Sequence, residues 1–144
     1  MERYLLVARS ITHAQQMMKV LDRAGIRTAM LTMPAPQPYY GDTEESARCI
    51  RRVNEASAAV KRQYPGRFRF CASLPLPDVD AAIREAVYAL DTLGADGVKL
   101  ATNRRGQSLG APELDPLIEV PNERHALHNI HPQRPTPRHR DTHT

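Results

Sequence analysis

The chain has 144 residues, 41% of them hydrophobic and 25% charged, the composition of one ordinary globular domain with a real core. No apolar stretch approaches the ~20 residues that cross a bilayer, and the N-terminus lacks the apolar run and small-residue cleavage site of a signal peptide, so a soluble, cytoplasmic protein is expected. The net charge of +4 is modest; its excess gathers near the two ends of the helix after Asp42 and in the C-terminal tail, and nothing in that pattern calls for nucleic acid.

Residues 3–9 read as a strand, the least secure in the chain, and Thr12 can cap a helix whose Ala14, Met17, Met18 and Leu21 share one face. Gly25 ends that helix. Thr28 to Met33 reads as a buried strand, and Pro34, Pro36 and Pro38 break it into a loop because each proline removes a backbone donor. Asp42 and Glu45 have capping-box spacing, and Ile50, Val53, Val60 and Tyr64 then recur at helical spacing until Pro65-Gly66. The basic residues Arg48, Arg51, Arg52, Lys61 and Arg62 on this helix read as a solvated face with local pairing, Arg51 to Glu55 among them.

Phe68, Phe70, Ala72 and Leu74 alternate as a strand does, and Pro75-Leu76-Pro77 stops it. The next helix carries the stripe Val79, Ile83, Val87, Leu90 and Leu93, with Gly94 as its stop. Residues 97–101 form a short strand, and 103–110 a polar loop. Pro112 opens a last helix that Pro121 ends or kinks, and Ala126 to Ile130 leads as a strand into His131-Pro132. Cys49 and Cys71, without C-x-x-C spacing, read as reduced core thiols.

Strand and helix thus alternate, the pattern of a parallel sheet with right-handed crossovers and all strand-to-helix loops on one face. The fold class is α/β, a partial TIM barrel of about four βα units whose barrel is not closed, since closure takes eight. Residues 1–132 form this domain, and 133–144, without apolar content, read as a disordered polar and basic tail. Such a sheet leaves two edges open to self-association.

The blocks Gly25-Ile-Arg-Thr-Ala-Met-Leu-Thr-Met-Pro34, Pro36-Gln-Pro-Tyr-Tyr-Gly-Asp42, Tyr64-Pro-Gly-Arg-Phe-Arg-Phe70, Ala72-Ser-Leu-Pro-Leu-Pro-Asp78, Leu90-Asp-Thr-Leu-Gly-Ala-Asp-Gly-Val98 and His131-Pro132, taken in order, resemble the amidohydrolase-related family. The resemblance covers about residues 20–132 and points to the branch of aminocarboxymuconate-semialdehyde and resorcylate decarboxylases. It implies a TIM-barrel enzyme with one divalent ion, zinc or manganese, that hydrolyses or decarboxylates small aromatic or unsaturated acids. The family's ligands are a His-x-His pair on the first strand, a mid-barrel His, and a later His and Asp; only the mid-barrel His has a counterpart, His131.

Lys99 and Asn103 flank the end of a central strand and can face a substrate carboxylate; the other reading turns Lys99 outward or onto its own loop. Tyr39 and Tyr40, after the proline loop, can line a pocket for an aromatic or unsaturated acid, ordinary loop packing being the other reading. His125, His128, His139 and His143 crowd the same region at irregular spacing. His128 and Asn129 put two polar groups into a strand expected to be apolar, where burial without partners costs a few kcal/mol. A truncated or frame-altered enzyme fragment, inactive as this chain alone, is expected; the alternative is a non-catalytic interaction or assembly piece.

Overall fold

A computed structural model describes residues 11–33, 42–104 and 107–132; the expected strand at 3–9, most of the proline loop and the tail lie outside the described residues. The element order is α1 (Ile11–Ala24), β1 (Ala29–Leu31), α2 (Thr43–Gln63), β2 (Phe68–Ala72), α3 (Val79–Asp91), β3 (Gly97–Ala101), β4 (Asn103–Arg104), β5 (Gln107–Ser108), a 3-10 turn at Pro112–Leu114, α4 (Asp115–Glu123) and β6 (Leu127–His131). Four strands make one parallel sheet in the order β1-β2-β3-β6, an open partial barrel.

Local chemistry explains the helix limits. The Asp42 carboxylate accepts from the Glu44 and Glu45 amides at 2.9 and 3.4 Å, capping α2 as its spacing predicts. Gly25 and Gly94 take φ of 72° and 73°, the left-handed geometry that halts α1 and α3 with no side chain to clash.

Alternation along the strands places Phe68 and Phe70 of β2 under the helices, with Ala29, Leu31, Ala14, Leu21, Ala58 and Val60 in one cluster. Each phenylalanine is almost wholly buried and contributes about 2–3 kcal/mol of apolar transfer. A second cluster joins Val98 and Leu100 of β3 to Leu114, Leu117 and Val120 across Ala82 and Ala86 of α3. The face α3 turns to the sheet is therefore its alanine row; Val79, Ile83, Val87 and Leu90 flank that row, partly buried. Alanine lets the helix axis approach the strands, and the larger side chains fill the margins.

The structure corrects two further expectations and extends α4 two residues past Pro121. The polar segment after β3 contains a small antiparallel hairpin, β4 with β5, because Asn103 and Ser108, and Arg104 and Gln107, pair as strand partners. Arg51 pairs across the helix seam with Glu85 of α3, Nη2 to Oε2 at 2.9 Å, and lies over the Tyr88 ring at 4.1 Å, while Glu55 accepts from the Tyr88 hydroxyl. Pro121 is buried inside α4 and the helix continues to Glu123 before His125, at φ 51°, turns the chain.

Asp96 closes the end of the sheet opposite the strand mouths. Its carboxylate accepts from Lys61 Nζ and from the Phe70 amide, both at 3.0 Å, while its own amide donates to the Phe70 carbonyl and its carbonyl accepts from Leu127. No helix among the described residues is long and apolar enough to cross a membrane.

Candidate functional site

Because Val98 and Leu100 point into the helix layer, the pleat sends Lys99 and Ala101 to the concave side of the sheet. Strand register then puts Lys99 beside Asn129 and Ala101 beside His131. Lys99 is 5% exposed, and its ammonium donates to the Met33 carbonyl just past β1. The outward alternative for Lys99 is thereby overturned: burial of an ammonium demands acceptors, and the concave side supplies one from β1.

Asn129 extends the same cluster, its side-chain nitrogen lying 3.5 Å from the Thr32 hydroxyl. Asn129 of β6 and Thr32, the residue after β1, thus meet over the concave face through their side chains. The Ser73 hydroxyl, just after β2, is buried with no hydrogen-bond partner among the described residues.

His131 stands at the C-terminal end of β6, exposed, on the same side of the strand as Asn129, and its carbonyl accepts from the Thr102 amide at 3.1 Å. His128 alternates to the helix side, and its exposure on a flanking strand removes the burial penalty expected for it. His125 lies in the turn after α4. Among the described residues no three His, Cys, Asp or Glu side chains gather as a group able to hold a metal ion. A catalytic zinc needs three protein ligands and an open position. The described residues alone do not supply that set.

The structure therefore joins Lys99 to Asn129 and Thr32, with His131 one strand step above. Tyr40 lies outside the described residues, as do His139 and His143; Asn103 is placed only by its backbone in β4. Asn129 and Thr32 were missed as members of the cluster. Counting the period-2 pleat back from His131 would have found Asn129, whereas the β1 partner depends on strand tilt that no local pattern carries. A cation and an amide donor on a concave surface can together receive a carboxylate, the cation as a point charge and the amide as a directional bond.

Comparison with known proteins fits this geometry. A family model described as amidohydrolase matches residues 13–143. The chain is 40% identical over 121 residues to the decarboxylase yanB of Aspergillus niger, covering 80% of this chain and 33% of that protein. It superposes on a crystal structure of 2,6-dihydroxybenzoate decarboxylase complexed with 2,6-dihydroxybenzoate, with a TM-score of 0.74, 28% identity, 87% of this chain and 41% of that one. A 5-carboxyvanillate decarboxylase from Novosphingobium aromaticivorans, solved with bound manganese, aligns with a TM-score of 0.74 and 25% identity over 81% of this chain and 34% of its own. The chain spans about a third of the length of the curated relative it matches. The chain belongs to the amidohydrolase family.

Proposed function

We propose that this chain is a partial barrel of a metal-dependent hydrolase or non-oxidative decarboxylase for small aromatic or unsaturated carboxylic acids, cytoplasmic, and without turnover as this chain alone. In this reading Lys99 binds the acid's carboxylate, Asn103 and Tyr40 orient the rest of the acid, and His131 is one ligand of a divalent ion, zinc or manganese, in a completed barrel. The ion would supply charge stabilisation at the bond that breaks.

The observation that supports the reading is the concave face itself: buried Lys99 lies beside Asn129, with His131 at the strand mouth where barrel enzymes keep their chemistry, in a chain that matches the amidohydrolase family model. Metal analysis of the purified chain, combined with a carbon dioxide release assay on 2,6-dihydroxybenzoate with added manganese, tests it. Substoichiometric metal and no release are expected. Stoichiometric metal with turnover would overturn the claim of inactivity.

A further inference from the structure

Ser73 follows β2, and the pleat decides which way its side chain points. Phe70 and Leu74 pack in the helix layer, so Cys71 and Ser73 face the concave side, where the Cys71 thiol meets the Met30 sulfur at 3.8 Å. The register of β2 on β3 pairs Ala72 with Val98, and one further step brings Ser73 beside Lys99. Asn54 holds the Ser73 backbone by both its N–H and its carbonyl, which leaves the hydroxyl only rotation about the Cα–Cβ bond. Ser73 is 1% exposed, and its Oγ has no hydrogen-bond partner among the described residues.

A buried hydroxyl without a partner costs stability, and native chains leave few such groups. Strand order accounts for what covers this one. β2 lies between β1 and β3, so the Lys99 stem, reaching from β3 to the Met33 carbonyl just past β1, crosses the end of β2 where Ser73 stands. We propose that the Ser73 hydroxyl is the second hydrogen-bond donor to the acid's carboxylate: the Lys99 ammonium, drawn off the Met33 carbonyl, takes one oxygen, and the hydroxyl it uncovers takes the other. This inference rests on the reading of Lys99 as the residue that binds the acid.

The donors themselves select a carboxylate. At this level of the concave side stand an ammonium, a hydroxyl and, one strand further, the Asn129 amide, all able to donate and none negatively charged, so the complement is an anion with paired acceptor oxygens. The hydroxyl loses its water when the chain folds. Its bond to a ligand is therefore made without stripping solvent from the serine, and is worth more than the same bond at an exposed position. Two donors on neighbouring strands, ~4.8 Å apart, also fix the plane of a carboxylate, whereas an ammonium alone is a point charge about which the anion can turn.

Isothermal titration of the full chain with 2,6-dihydroxybenzoate, beside thermal unfolding without ligand, tests the assignment. Ser73→Ala removes the unpartnered hydroxyl, so its unfolding midpoint should rise by about 3 °C while its affinity for the acid falls about 10-fold. The opposite signs are the signature, because a serine that served packing alone would not lose affinity as it gained stability. Lys99→Met separates this inference from the reading beneath it. Weaker binding by Lys99→Met, with Ser73→Ala binding as the wild type does, overturns the role of the hydroxyl and leaves the acid site standing. No binding by the wild-type chain, or equal binding by Lys99→Met, overturns both. A midpoint that falls in Ser73→Ala shows the hydroxyl already partnered in the fold and also overturns the proposal.

Discussion

Asn54 and Ser73 exchange two hydrogen bonds of 2.9 Å, the amide of Asn54 gripping both the backbone N–H and the backbone carbonyl of Ser73. Asn54 does for the end of β2 what a neighbouring strand would do, at the point where the chain leaves the sheet for the 74–78 loop at the strand mouths. A third bond runs from Asn54 Nδ2 to Glu85 Oε1 at 2.9 Å, locking α2, β2 and α3 together. Asn54→Ala leaves two buried backbone groups and a carboxylate oxygen without this partner, and should cost about 3 kcal/mol in urea unfolding. A loss under about 1 kcal/mol would show that water substitutes for the amide.

Gly97 sits where β3 and β6 come closest. A Cβ built there would stand 2.7 Å from Leu127 Cβ and 2.9 Å from the Leu127 carbonyl carbon, with the carbonyl oxygen nearer still. Backbone cannot swing aside as a side-chain tip can, so Gly97→Ala should destabilise by about 2 kcal/mol in thermal unfolding and loosen β6 first. Faster amide exchange in β6 than in β2 would locate the damage; unchanged stability would mean that β6 is free to shift.

Cys71 is buried beside Asp96, and desolvation, with the carboxylate's charge second, pushes its thiol up to about 11. The folded state therefore keeps this proton over the range where the unfolded chain loses it. Stability should fall as pH rises from about 8.5 toward 11, and Cys71→Ala should flatten that limb. Native protein at pH 8 should leave one thiol unreactive toward a disulfide reagent, with Cys49 the faster.

Arg124 holds Asp91 by two bonds, at 2.7 and 2.9 Å, tying the end of α4 to the end of α3. The hydrogen bonds from the guanidinium keep the Asp91 carboxyl below its ordinary range. This contribution is fully present above the unfolded pKa near ~4 and is lost as pH falls through the lower folded value. Asp91→Asn should lower stability at neutral pH less than Asn54→Ala does, and reduce the acid sensitivity. Because the pair is solvent-exposed, added salt should shrink its effect.

The sequence carried those features that depend on near neighbours. Asp42 announces its cap through spacing, Gly25 and Gly94 announce helix ends through chirality, and the Phe68–Phe70 alternation announces a strand. Parallel pairing followed from the order of elements. What escaped was set by tertiary partners: Asn54 looks like any polar helix residue until Ser73 folds beside it, and Arg51 chooses Glu85 over the nearer Glu55 because α3 packs alongside. The β4 and β5 segments are two residues each, too short for alternation to register. Lys99 lay open between two directions until Val98 and Leu100 fixed the pleat.

Asp96, gathering Lys61, Phe70 and Leu127 at the far pole from His131, has a consequence for how the scaffold can change. One residue thus joins β2, β3 and β6 on the side away from the mouths, so their register has an anchor that does not involve His131. Substituting His131 can alter what is recognised at the rim without unpicking that seam.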